Sequence, residues 1–323
     1  MRHFHASFIS ICRRIVPVLI RIVLLTFLVV CTVFYATIEN FSCAKSGPVE
    51  IGKLLPNCLI IGARKSGTRA LLEFLNLHNS IAIAREEVHF FDKDEFYVKG
   101  LDWYRNQMPP AVPDVKILIE KTPAYFVQHK SINRVYKFNP DIKLILILRN
   151  PVERLISDYT QVFYSKMAKN KTTPKLDALL FTRVMKRTKN KTKIYKEIKT
   201  FYKPLRNSMY AEHLKKWIEL FPLKKNLHIV DGDRFVSDPL SELKLVEKFL
   251  NLSEEISNDS IYFNVSKGFY CYIHPDEGSK CLSESKGRKH VEISQETAAR
   301  LTTFFKIHNE KLFQMINRRF SWY

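Results

Sequence analysis

Acidic side chains are scarce here: 32 Asp and Glu stand against 52 Lys and Arg in 323 residues, a formal net charge of +20. Such an imbalance implies a polyanionic partner, which is nucleic acid, acidic lipid or acidic polysaccharide. Other absences narrow the field. The chain has no internal repeat, and its aromatic residues do not fall in an RNA-binding motif. Its six cysteines lack the ligand spacing of a zinc site. The glycine loop "GARKSGTRALLEF", Gly62 to Phe74, lacks the lysine that follows the second glycine in nucleotide-triphosphate loops. Gly62 and Gly67 keep the loop's spacing, but Thr68-Arg69 replaces Lys-Ser/Thr and the lysine sits two residues early, at Lys65. Triphosphate chemistry is therefore disfavoured, while a strand, glycine loop and helix start still form an anion site.

What is present begins with an apolar run, Ile22 to Ile38, of 17 uncharged residues, at the lower limit for a spanning helix. Arg2, Arg13, Arg14 and Arg21 precede it and Glu39 follows, so the positive-inside rule leaves the N-terminus in the cytosol. A cleaved signal peptide is the competing reading, but the run exceeds a usual h-region and no small-x-small site follows it. The expected division is a cytosolic tail over 1–21, a signal-anchor over 22–38, a lumenal stem over 39–55 and a catalytic domain over 56–323. Six N-x-[ST] sequons, at Asn40, Asn170, Asn190, Asn251, Asn258 and Asn264, would be usable in a lumen. Cys271 and Cys281, with Pro275 and Gly278 between them, read as a hairpin closed by a disulfide.

Beyond the stem, the runs "CLIIGA", "KILIEK", "KLILILR" and "NLHIVDG" read as buried strands alternating with amphipathic stretches. That alternation predicts a three-layer α/β domain with a largely parallel central sheet, preceded by the one N-terminal transmembrane helix. Asn150-Pro151 and Asp238-Pro239 mark helix starts, and Ser294 to Ile316 reads as a closing helix. From Lys166 to Lys203 there are thirteen Lys/Arg against two acids. This excursion is either a solvated, partly mobile segment or a rim for a polyanion.

Five blocks, "GARKSGTRALLEF", "EEVHFFD", "EKTPAYF", "LILRNPVERLISDYTQVFY" and "SKGRKH", occur in the order and spacing of heparan sulfate glucosamine 3-O-sulfotransferases. The chain resembles the shorter members of that family. The resemblance implies a P-loop-like fold, a Golgi type II membrane location, heparan sulfate as partner rather than nucleic acid, and 3′-phosphoadenosine 5′-phosphosulfate (PAPS) as co-substrate without a metal. It assigns the 5′-phosphosulfate to Lys65, Ser66, Gly67, Thr68 and Arg69, with Lys65 as the electrostatic catalyst at the leaving phosphate. The 3′-phosphate falls to Arg149 and Ser157, and Lys286, Gly287 and Arg288 would close over the donor.

On the acceptor side, a hydroxyl attacking sulfur must lose its proton, for which a carboxylate or imidazole is the usual agent. The resemblance makes Glu87 that base, with His89 and Asp92 supporting it. Lys121, Gln161 and Arg288 would meet the acidic saccharide. Arg85 stands where relatives can carry an acid that touches the sugar, and Asn150 stands where they often have Asp. Two other classes are left open: a membrane-anchored heparan-binding protein without turnover, and a sulfotransferase acting on another position or glycan. A P-loop kinase or nucleic-acid binder is disfavoured by the loop and by the lumenal basic face.

Overall fold

The four runs expected as strands pair side by side in a computed structural model that describes residues 26, 52–188, 191–275, 278–282 and 289–322. They are β1 (Cys58–Gly62), β3 (Ile117–Lys121), β4 (Lys143–Leu148) and β7 (Leu227–Asp231), joined at one edge by the short β2 (Ile81–Ile83). The order is β2-β3-β1-β4-β7 and every pairing is parallel. Alternation within each strand divides the side chains between two cores, as a pleat of period two requires. Leu59, Ile61, Leu118, Leu144, Leu146 and Leu148 pack on one side with α2 (His129–Phe138), α4 (Tyr210–Leu220) and α6 (Gln295–Ile316). Cys58, Ile60, Ile119, Ile145, Ile147 and Val230 pack on the other with α1 (Thr68–Leu75) and α5 (Pro239–Phe249). The expected three-layer α/β arrangement is thus what the chain adopts.

Helix starts follow the capping residues. Asn150 Oδ1 accepts from Val152 N at 2.9 Å to open α3 (Pro151–Met167), and Asp238 Oδ1 accepts from Ser241 N at 3.2 Å to open α5. Ser294 Oγ accepts from Thr297 N at 3.1 Å and opens α6. Each cap satisfies a backbone donor that the first turn leaves over.

The basic excursion is an ordered ribbon in its central part. β5 (Phe181–Thr188) and β6 (Lys191–Ile198) pair antiparallel, with Arg183 opposite Lys196 and Lys186 opposite Lys193. Phe181 and Ile198 seat its base on a third core, beneath α3, that includes Leu155, Leu205 and Phe305. Arg300 Nη1 donates to Lys196 O at 3.4 Å, tying the ribbon to α6. A second antiparallel sheet comprises β8 (Ile261–Asn264), β9 (Phe269–His274) and β10 (Gly278–Lys280), where Cys271 and Cys281 form a disulfide.

The expected tail and anchor, and most of the stem, lie outside the described residues. Among the described residues no helix is long and apolar enough to cross a membrane.

Connections leave β1 toward β2 and β4 toward β7, so the crevice between β1 and β4 is the switch point where ligands of open α/β sheets bind. One glycine closes its floor. A Cβ on Gly232, just after β7, would stand 2.6 Å from Leu148 O and 3.1 Å from Ser66 O. Gly232→Ala should therefore push the strand end or the glycine loop aside at a cost of about 1–3 kcal/mol. Denaturant titration of the folded chain measures this, and an unchanged midpoint would contradict the packing described.

Candidate functional site

The glycine loop leaves β1 and is tied at once to the neighbouring strand, Ala63 N donating to Ile147 O at 2.9 Å. Lys65 has φ 72° and Gly67 φ 106°, both left-handed. Residues of that kind turn backbone N–H groups toward one concave side and form an anion nest. Gly67 precedes α1 and offers no capping side chain, so the helix start faces the loop with its dipole and backbone donors. Ser66 and Thr68 are buried in this turn, whereas Lys65 is half-buried. Arg69, expected to reach an anion, makes contacts within the chain. Its guanidinium lies 2.6 Å from Glu73 Oε1 and donates to Arg85 O at 2.5 Å.

Arg149 follows the last residue of β4, across the crevice from this loop. Its Nε is buried without a hydrogen-bond partner among the described residues, 3.6 Å from Asp233 Oδ1. A guanidinium N–H left over beside an anion nest fits an anionic group with more than one phosphate. Burial raises the Asp233 carboxyl above the ordinary carboxylate range, with the Asn150 N–H and Arg149 acting against it. Ser157 and Gln161 lie four residues apart in α3 and share a helix face, with Gln161 exposed.

The acidic loop after β2 supplies a second cluster. Lys121 ends β3, is almost wholly buried, and donates from Nζ to Glu87 Oε1 at 2.6 Å. The other oxygen, Glu87 Oε2, stands 3.7 Å from His89 Nε2, beyond hydrogen-bond length. His89 Nδ1 is 2.9 Å from Asp92 Oδ2, which orients the ring. Glu87 is therefore pinned through one oxygen while the second remains presented at a carboxylate that is 43% exposed. Lys121, expected to touch the saccharide, is buried here as the partner of Glu87. Lys286, Gly287 and Arg288 lie outside the described residues. The residues after them return to α3, where His290 Nδ1 is 3.4 Å from Glu153 Oε2 and Val291 N donates to Thr160 Oγ1 at 3.1 Å. His290 holds the Glu153 carboxyl below its ordinary range.

Two charged residues at the site were missed in the sequence. Arg154 is fully buried. Its Nε donates to Ser208 Oγ at 2.6 Å, and Nη1 donates to Asp158 Oδ2 at 3.0 Å and to Arg64 O at 3.2 Å. Nη2 bonds Pro204 O. It thereby fastens the glycine loop to α3, and the i,i+4 Arg154/Asp158 spacing was the one available signal. Glu120 is also fully buried, inside the otherwise apolar "ILIEK" strand. Burial pushes its carboxyl up to about 7, against hydrogen bonds from Thr122, Tyr125, Val88 and Tyr104 that favour the charged form. Among the described residues no three His, Cys, Asp or Glu side chains group as metal ligands.

Comparison with known proteins adds an independent line. The family model described as "Sulfotransferase domain" matches residues 55–315. The chain is 47% identical over 273 residues to heparan sulfate glucosamine 3-O-sulfotransferase 5 of Mus musculus, spanning 84% of this chain and 75% of that protein. It is 39% identical over 279 residues to heparan sulfate glucosamine 3-O-sulfotransferase 6 of Homo sapiens, spanning 86% and 76%. A crystal structure of a sulfotransferase from Alicyclobacillus acidocaldarius shares the fold, with a TM-score of 0.59 at 20% identity over 83% of this chain and 98% of that one.

Arg154 gives the site's sharpest stability test. Arg154→Met removes the guanidinium and leaves the buried Asp158 with only the more distant Arg64, 3.5 Å away, so unfolding free energy should fall by about 2–4 kcal/mol. Chemical denaturation reads the change. A loss below about 1 kcal/mol would mean that Arg154 does not hold the loop to α3.

Proposed function

The chain belongs to the sulfotransferase domain family, among the heparan sulfate glucosamine 3-O-sulfotransferases, and on that premise we propose that it sulfates the 3-hydroxyl of a glucosamine residue in heparan sulfate. One observation carries the reading: at one sheet edge, a glycine loop built for phosphate accompanies Glu87, whose Oε1 is held by Lys121 and whose Oε2 is open. PAPS, when bound, supplies the transferable sulfo group.

The chain's own residues divide the remaining work. The N–H groups of Gly67 and Thr68 with the Lys65 ammonium hold the 5′-phosphosulfate and stabilise charge growing on the leaving phosphate, while Ser66 N closes the turn on Ala63 O at 3.0 Å. Arg149 and Ser157 hold the 3′-phosphate. Glu87 Oε2 takes the proton from the attacking hydroxyl, His89 and Asp92 orient that hydroxyl, and Lys121 keeps Glu87 from swinging away. Lys286, Gly287 and Arg288 close over the donor, and Gln161 with Arg288 meets the acidic saccharide, which the +20 charge attracts over longer range. No metal takes part in this scheme.

We further place the protein in the Golgi membrane as a single-pass type II protein with its catalytic domain in the lumen. Four arginines ahead of the apolar run 22–38 support that orientation, and the Cys271–Cys281 disulfide suits an oxidising compartment.

Incubating the lumenal part with labelled PAPS and defined heparan oligosaccharides, then mapping the label, tests the reaction. Label at the glucosamine 3-hydroxyl is expected. Label at another position moves the chain to a different specificity, and saccharide binding without label makes it a receptor. In the same assay Glu87→Gln should cut turnover by about 10²–10⁴-fold while donor binding holds. Lys65→Ala should slow turnover by about 10²–10³-fold. A Glu87→Gln protein that loses donor affinity along with turnover would remove the base assignment.

A further inference from the structure

Three consecutive backbone N–H groups of the acidic loop are each taken by a side chain from the end of β3 or the segment just after it. Val88 N donates to Glu120 Oε1 at 3.4 Å, His89 N to Thr122 Oγ1 at 3.2 Å and Phe90 N to Tyr125 OH at 3.1 Å. The three acceptors are themselves one network. Thr122 Oγ1 donates to Glu120 Oε1 at 2.5 Å and Tyr104 OH donates to Glu120 Oε2 at 3.3 Å, while the neighbouring Tyr125 hydroxyl favours the charged form of the same carboxylate. Glu120, Thr122, Tyr104 and Tyr125 are all buried.

The loop needs such a grip. His89 sits at φ 57°, a conformation that costs a non-glycine residue about 1 kcal/mol or more and persists only where its surroundings impose it. Left to itself, the segment would relax and move Glu87, the residue before Val88. Lys121 lies in the same stretch, between Glu120 and Thr122, so the hub and the lysine that pins Glu87 Oε1 are set by one strand end. A buried carboxylate is an expensive hub, since an apolar residue would satisfy the core at lower cost.

We infer that Glu120 is a positioning residue for sulfo transfer: through its own carboxylate, Thr122 and Tyr125 it fixes the backbone of Val88, His89 and Phe90 and so aims Glu87 and His89 at the acceptor hydroxyl. Glu120 touches neither substrate. The inference rests on the proposed transfer reaction and concerns only its acceptor half.

Glu120→Gln keeps the side-chain shape but offers the Thr122 and tyrosine hydroxyls an amide instead of a carboxylate. In the folded variant kcat should fall by about 10²-fold, the effect expected of a sub-ångström to ångström misplacement. Donor affinity and KM for the saccharide should stay within about twofold, because the glycine loop and Arg149 lie outside the network. Hydrogen exchange at the amides of Val88, His89 and Phe90 should rise by about tenfold or more while the sheet amides stay protected. Thr122→Val should reproduce part of the kcat loss, and Thr122→Ser, which restores the hydroxyl, should recover most of it.

Wild-type kcat in Glu120→Gln, or unaltered exchange at those three amides, would overturn the inference. So would a Thr122→Ser variant as slow as Thr122→Val. Should Glu120→Gln fail to fold, Thr122→Val and Tyr125→Phe carry the test, each removing one acceptor, and wild-type kcat in both rejects it. If the wild-type protein transfers no sulfo group to any saccharide, the reaction proposed above falls, while the exchange experiment still decides whether Glu120 holds the loop.

Discussion

A strand buried on both faces has no room for charge except at its ends, and this constraint organises the molecule. β1, β3 and β4 lie between two apolar layers, so an ion or an unpaired N–H along their length would cost several kcal/mol. The loop holding Lys65, the ammonium of Lys121 and the guanidinium of Arg149 therefore gather where these three strands end. The parallel pairing places all three ends on one edge. An antiparallel sheet of the same strands would have scattered them.

Much of this was legible in the sequence because the signals were local. Four apolar runs gave four strands, and Asn150, Asp238 and Ser294 caps gave three helix starts. The Gly62/Gly67 spacing gave the loop. β2 went unread because a three-residue strand carries no periodicity, and its place was fixed only by pairing with β3. The ribbon of β5 and β6 was obscured by its lysines, which read equally well as solvated chain. Its Val184, Ile194 and Tyr195 are ordinary strand residues, but the base anchored by Phe181 and Ile198 depends on a core built from distant segments.

The site was legible in its members and not in its connections. Glu87, His89 and Asp92 fall within one short motif, and their mutual contacts follow from that spacing. The partnership of Lys121 with Glu87 was not legible because it spans 34 positions, and no local pattern reports a contact that only the meeting of β3 with the preceding loop creates. Arg154 and Glu120 went unnoticed for the same reason, each joining segments far apart in the chain. An arginine in a helix and a glutamate in a strand look like surface residues until tertiary packing encloses them. Arg69 shows the converse: its motif points to an anion, while its side chain is occupied by Glu73 and the Arg85 carbonyl.

The lysine-rich ribbon has a consequence of its own. Arg183 stands opposite Lys196 across its two strands, so like charges oppose the backbone ladder at that rung. Its alignment is therefore coupled to the surrounding ionic atmosphere. Dilute electrolyte weakens that rung, and screening by counter-ions relieves its repulsion. A polyanion lying along the ribbon would relieve the same repulsion.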